Sequence, residues 1–328
     1  MPNPSFLLTI AIPTYNRGES LDQLLLELSV QIGSDQRIEL IVSNNASEDS
    51  TASVVAAHQA RGVNIRYICN ESNLGADRNI LQCYTEASGE YVWIFSDDDL
   101  IEPNTIRRVL GAISKRQYDI ICIRGYALDG QYQGPRSFKH QNDLEFQRPA
   151  DIARRIHVFF TFISSVIVNK KLNSEKPHRP FESLLGTSLV QLGPFYTALN
   201  HHKRSLLIRD KLIAARGNSN VRYALYQVFG TTLTEITRNW IDSDLTQKAI
   251  LHGAVRKFLP FWLMMTRESK ASTVVEDPHA ILRHCFGSDA LYWFFDYPIY
   301  ALPLPLAKGW MLAVRAINKI DNLLLGLA

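Results

Sequence analysis

No run of about 18 or more uncharged apolar residues occurs in the chain, which argues against a conventional membrane span. The nearest approach, residues 291–307, is broken by Asp296 and three prolines. Charge of one sign is scarce: 35 basic against 32 acidic side chains leave +3, too little to point to nucleic acid. Cys69, Cys83, Cys122 and Cys285 lack the close spacing of a zinc or redox site, and no secretory leader is recognisable. They are expected to be buried thiols in a reducing cytoplasm. The Asn-x-Ser sequences at Asn45 and Asn70 then read as chance matches. Glycine is missing where a dehydrogenase or P-loop enzyme needs it, because PTYNRGES lacks that turn's spacing.

What is present is ordinary globular material: 328 residues, 46% hydrophobic and 20% charged, enough to build a core. Apolar runs and helical patterns alternate through the first half. Residues 6–12 (FLLTIAI), 38–43 (IELIVS), 64–69 (NIRYIC), 91–96 (YVWIFS) and 119–124 (DIICIR) read as strands. Helices are expected at 20–30, from Ser47 as cap through His58, at 79–87 and at 105–116. Such repetition means right-handed crossovers and a mostly parallel, Rossmann-like sheet flanked by helices. Ligands on such sheets bind beyond the carboxyl ends of the strands. Three polar loops converge there: PTYNR (13–17), NNASED (44–49) and the acidic run Asp97, Asp98, Asp99.

Residues 131–149 read as a surface loop or hinge, 159–169 as a strand or buried segment, and 181–201 and 221–265 as helical. The expected division is a catalytic domain over 1–220 and a helical region over 221–328.

Three adjacent carboxylates repel one another unless one stays protonated or a cation sits among them. Hard divalent ions take oxygen ligands, and magnesium uses one or two carboxylates, completing its shell with water and phosphate. Such an ion stabilises charge on a departing phosphate as a Lewis acid. A solvated acidic turn is the bland alternative. An aspartate-nucleophile phosphatase fits poorly, since its acidic motif follows the first strand rather than the fourth.

TIAIPTYNR, IVSNNASED, NLGADRN and GEYVWIFSDDDLIEPN, in this order, resemble the family 2 glycosyltransferases with the GT-A fold. FISSVIVNKK, LLGTSL and ARGNSN resemble a narrower group, the abequosyltransferase-like enzymes of bacterial O-antigen synthesis. The resemblance implies Mn²⁺ or Mg²⁺ as cofactor and a nucleotide-sugar donor. It places Pro13, Tyr15 and Arg17 near the nucleotide and Arg78 near base or phosphates. It makes Asp98 the best match to the metal ligand, with Asp99 as second ligand and catalytic group and Asp97 at the nucleotide-sugar; which of the three touches metal stays open. Asn44 stands where the family usually has an aspartate that meets the base. An amide both donates and accepts, which suits cytosine, so a CDP-sugar donor is the expectation; the alternative is that Asn44 caps the following helix or accepts from uracil through its amide oxygen.

The family's usual acidic base motif is missing, and RPFESLLGTSLVQLG offers only Glu182 as the base, with a surface glutamate as the alternative. His157, His201 and His202 are weaker candidates. Arg216 could clamp a diphosphate through its planar fork or form a surface ion pair.

Tyr292, Trp293, Phe294, Phe295, Tyr297 and Tyr300 crowd before the last helix. On a helical wheel Trp310, Val314, Ile317 and Leu324 share one face, and Lys308, Arg315, Lys319 and Asn322 the other. Such a helix suits a membrane interface, although Asp321 sits near the apolar side. It could equally dock on the protein's own core or on a second copy in a homo-oligomer. The expected function is transfer of a sugar to a lipid-linked oligosaccharide by an enzyme peripheral on the inner face of the cytoplasmic membrane. The competing reading is a catalytically inactive relative that binds nucleotide or membrane within an assembly complex.

Overall fold

The computed structural model describes residues 6–115, 117–128, 138, 140–175, 179–216, 223–268 and 274–324. Its strands are β1 (Leu8–Thr14), β2 (Ile38–Asn44), β3 (Ile65–Cys69), β4 (Tyr91–Ile94), β5 (Leu100–Ile101), β6 (Ile120–Leu128), β7 (Leu144–Phe146), β8 (Val166–Asn169) and β9 (Ser205–Arg216). The first helices are α1 (Gly18–Ile32), α2 (Thr51–Ala60), α3 (Ala76–Glu86), α4 (Thr105–Ile113), α5 (Pro149–Ile156), α6 (Lys170–Glu175) and α7 (Leu192–Asn200). The rest are α8 (Leu233–Trp240), α9 (Asp244–Gly253), α10 (Leu259–Arg267), α11 (Pro278–Phe286), α12 (Tyr297–Ala301) and α13 (Leu304–Leu324).

The chain divides into two compact units, one of residues 1–152 and 159–217, the other of 153–158 and 218–328. In the first, one sheet runs β3-β2-β1-β4-β8-β6-β9-β5, with β7 also on β9. β3, β2, β1 and β4 are parallel, as the alternating pattern requires. Beyond them the sheet is mixed: β8 lies antiparallel between β4 and β6, while β6 and β9 run parallel.

The core follows from the pattern. Leu8, Ile10 and Ile12 of β1 meet Leu21, Leu24, Leu25 and Leu28 of α1, all fully buried. Burying a leucine stabilises by about 1.5–3 kcal/mol, so this spacing fixes α1 on the sheet. Gly18 lets the start of α1 come close to the β2–α2 loop; a Cβ there would lie 2.3 Å from Ser50 Oγ.

Several expectations need correction. Ser47 does not cap α2: its Oγ accepts from Asn16 N, and Asp49 Oδ1 accepts from Thr51 N. Cys69 is exposed, while the other three cysteines are buried. The segment 159–169 is two short 3-10 turns followed by β8, and only part of 181–201 is helical. Residues 144–146 of the expected loop form β7; residues 131–137 and 139 lie outside the described residues. The second unit is helical. No described helix is long and apolar enough to cross a membrane.

Candidate active site

The register of the parallel strands brings three loops to one rim. Thr14 pairs with Asn44 and Asn44 with Cys69, so β1, β2 and β3 end level, and Ala11 pairs with Ile94 beside them. The β1 and β2 loops are tied by backbone-to-side-chain hydrogen bonds. Asn16 N donates to Ser47 Oγ at 2.8 Å and Glu48 N to Asn16 Oδ1 at 2.8 Å. Gly18 N donates to Asp49 Oδ2 at 2.9 Å. Asn16 and Ala46 hold left-handed backbone at φ 51° and 61°. Asparagine tolerates that region; alanine has a steric cost there that the loop contacts must offset.

The aspartates do three different things. Arg17 Nη1 sits between Asp97 Oδ1 at 2.7 Å and Asp98 Oδ2 at 2.8 Å. Asp97 is buried, and burial pushes its pKa up against the opposing pull of Arg17. Asp98 is 18% exposed and also accepts from Ser96 Oγ. Asp99 is buried with both oxygens engaged, Oδ2 by Ser164 Oγ at 2.6 Å and Oδ1 by Arg216 N at 3.3 Å. Its pKa rises to about 7, chiefly through burial and despite the Ser164 bond. Arg17 is 43% exposed. Burial works against its charge, but Asp97 and Asp98 outweigh it and raise its pKa.

The donor set fits a hard divalent ion. Two carboxylates already share one cationic group, and their oxygens are the ligand type Mg²⁺ and Mn²⁺ prefer. Among the described residues no group of three or more His, Cys, Asp or Glu is arranged to hold a metal. Asp97 and Asp98 are the two carboxylates of the run that face Arg17. Asp99, also expected as a metal ligand and catalytic group, has its oxygens on Ser164 Oγ and Arg216 N.

Other expected residues are dispersed. Tyr15 is exposed on the rim beside the half-buried Pro13, and Arg78 is exposed in the first turn of α3. Asn44 is buried, with Nδ2 donating to Tyr67 Oη at 2.7 Å and Oδ1 accepting from Ser47 N at 2.9 Å. Arg216 turns its guanidinium to Ser20 Oγ and Gln23 Oε1 of α1, so it braces the helix. Glu182 is exposed on a 3-10 turn, Phe181–Leu184, that packs on α3 through Tyr84–Phe181 and on α7. His202 bonds Ser205 at the amino end of β9, the edge opposite the rim, with His201 next to it. His157 is buried in the second unit.

Sequence reasoning missed Asn45 and Ser164. Asn45 Oδ1 accepts from Asn70 Nδ2 and Leu74 N, and its Nδ2 donates to Asn73 Oδ1, so it pins the β3–α3 loop to the rim. The doubled Asn of NNASED was the available signal. Ser164 carries Asp99, takes Ser96 N at 3.0 Å on its Oγ and accepts Trp93 Nε1 on its carbonyl. FISS was visible as a motif without a role.

Residues 9–174 match the family model described as Glycosyl transferase family 2. Abequosyltransferase RfbV of Salmonella typhimurium is 32% identical over 178 residues, 50% of this chain and 53% of the relative. GalNAc(5)-diNAcBac-PP-undecaprenol beta-1,3-glucosyltransferase of Campylobacter jejuni is 34% identical over 172 residues, 51% of this chain and 55% of the relative. The chain thus spans about half the length of the curated relatives it matches. S. aureus TarS 1-349 in complex with UDP-GlcNAc superposes with a TM-score of 0.59 at 18% identity, over 94% of this chain and 89% of the other. Mannosyltransferase PcManGT from Pyrobaculum calidifontis, in complex with GDP-Man and Mn²⁺, gives 0.52 at 14% identity, over 98% and 90%. These likenesses show the fold, which is the GT-A arrangement anticipated from the four motifs.

Proposed function

The chain belongs to glycosyl transferase family 2, and from that membership we propose its reaction and partners. It moves a sugar from a nucleotide-diphosphate donor, a CDP-sugar such as CDP-abequose, to a lipid-linked oligosaccharide in O-antigen or surface-polysaccharide synthesis. It works as a peripheral enzyme on the inner face of the cytoplasmic membrane. The similarity to an abequosyltransferase supports the donor, and the undecaprenol-linked acceptor in the name of the Campylobacter relative supports the acceptor. Asn44 adds less than its position suggested, because both its polar atoms are engaged within the fold.

The observation that carries the reading is the Arg17 guanidinium held between Asp97 and Asp98 on the carboxyl rim. That is a place built for positive charge beside an open surface, where a diphosphate can share it. Asp98, with Asp97, would hold Mn²⁺ or Mg²⁺, which when bound supplies Lewis-acid stabilisation of the leaving diphosphate. Pro13 and Tyr15 line the nucleotide, Arg78 and Arg17 face its phosphates, and Asp99 positions the triplet through Ser164 and Arg216. Glu182 is the proposed base.

Release of nucleotide from CDP-, UDP- and GDP-sugars with purified lipid-linked acceptor tests the reaction. Turnover with a CDP-sugar, and tighter binding of CDP than of UDP or GDP in the presence of Mn²⁺, is expected. Tighter UDP or GDP removes cytidine from the reading. No nucleotide release from any donor removes the transferase.

A further inference from the structure

The outward face of α13 is not the one the helical wheel singled out. Ala307, Met311 and Val314 are buried, and Trp310 and Ile317 half-buried, so that apolar face packs on the unit's own α10 and α12. Turned to solvent at three- and four-residue spacing are Leu306, Gly309, Ala313, Ala316 and Ile320, with Leu312 beside them. Leu306, Leu312 and Ile320 are 60%, 65% and 56% exposed. No charge interrupts this strip, which runs ~21 Å at 1.5 Å per residue.

The two borders of the strip differ. On one side stand the exposed Arg315 and Lys319, and Lys308, which is paired with Glu268 at 2.9 Å. On the other, the Trp310 ring packs at 5.1 Å against Phe294, itself 43% exposed. Next to the basic border lies a cavity of about 380 Å³ lined by Arg256, Lys257, Arg315 and Lys319 together with Phe261 and Met311. No carboxylate lines it; Asp321 reaches Arg256 at 3.3 Å. Arg315 and Lys319 make no ion pair among the described residues. Burial lowers the pKa of Lys257, against Asp321 and with Arg256 and Arg155 adding to it.

We propose that this face of the second unit docks on an anionic lipid bilayer, the α13 strip entering the headgroup layer and the cavity taking lipid phosphate. Apolar helix faces bordered by Lys and Arg bind at that depth, and aromatic rings settle at the interface. Each basic side chain near an anionic leaflet adds attraction that salt screens. A second copy of this chain would bring the same cations against these, so charge complementarity favours lipid. The inference rests on the lipid-linked acceptor of the proposed function only for its purpose; its evidence lies wholly within the second unit.

Co-sedimentation of the full chain with phosphatidylcholine vesicles, with and without phosphatidylglycerol, tests it. Binding should require phosphatidylglycerol and weaken as salt rises. R315E/K319E and, separately, L312D/I320D should each weaken binding at least about tenfold. All four positions are exposed, and CDP affinity in the same variants should stay unchanged and report an intact first unit. Equal binding to phosphatidylcholine alone, no loss in either variant, or no vesicle binding with a dimer that L312D/I320D dissolves would each overturn the proposal. Vesicle binding needs no turnover, so a chain that docks but binds no nucleotide would refute the transferase and leave the docking surface standing.

Discussion

The two units differ in how their buried carboxylates are satisfied. In the first, the buried carboxylates have partners: Asp97 has Arg17, and Asp99 has Ser164 and the Arg216 amide. In the second, Asp296 is fully buried with neither oxygen hydrogen-bonded, and burial, with Asp289, raises its pKa well above the ordinary range. His157 is pushed the other way, to about 3, by burial and the neighbouring Lys257. Partnered charge next to an exposed cation is available to a ligand. Charge abolished by burial is a feature of packing. The contrast is what the proposed division between a ligand-binding rim and a scaffold rests on.

The largest test of that separation is Asp98→Asn. It removes a charge from the rim while leaving the buried members in place, so turnover should fall by about a hundredfold or more, as when a preorganised charge is lost from a transition state. The thermal midpoint should hardly move. Asp99→Ala should act first on stability, since Ser164 Oγ and Arg216 N lose their acceptor at a cost of about 2–3 kcal/mol, and lower turnover less than Asp98→Asn does. Thermal unfolding read beside nucleotide-release rates tells the two apart. If Asp98→Asn unfolded the protein and Asp99→Ala spared it, the division of roles within the triplet would be reversed.

The parallel half of the sheet was readable because buried parallel strands need continuous apolar runs, and residues 6–12 and 38–43 supply them. Leu21, Leu24, Leu25 and Leu28 likewise announced α1. The antiparallel insertion of β8 was not readable: FISSVIVN is apolar without a period, and nothing local says which neighbours it will take. The roles of Ser164 and Arg216 depend on side chains far along the chain, Asp99 in one case and Gln23 in the other. For α13 the wheel put Trp310, Val314 and Ile317 on one face, and they do lie together, while the side chains of Asn322 and Leu324 fall outside the described residues; which face turns inward depends on α10 and α12, which the wheel does not contain.

Within the second unit, packing alone should carry the effect. A Cβ on Gly253 would lie 2.2 Å from His157 Cβ. Gly253→Ala should therefore cost about 1–2 kcal/mol through overpacking. Trp240, Trp262, Trp293 and Trp310 lie in this unit and only Trp93 in the other, so tryptophan fluorescence reports the loss directly. Nucleotide affinity should be untouched; a parallel loss there would mean that the two regions are not separable.

The smallest effect is a pH slope, and its sign discriminates. His157 in the fold has its pKa lowered from 6.5 to about 3, so it stays neutral while an unfolded chain takes up a proton. Its contribution to stability is complete above 6.5 and is lost as pH falls toward 3, by less than about 1 kcal/mol between pH 7 and pH 6. Asp296 has the opposite sign: its raised pKa keeps the carboxyl neutral in the fold, so stability is lost as pH rises above the ordinary carboxylate range. His157→Asn, a residue that tolerates the left-handed backbone at φ 43°, should flatten the acid side of the stability profile alone. Asp296→Asn should remove the opposite slope, the loss that sets in as pH rises above the ordinary carboxylate range. If His157→Asn left the acid side as steep as before, burial would not be what keeps the imidazole neutral, and the second unit would have to hold charge by pairing, as the first does.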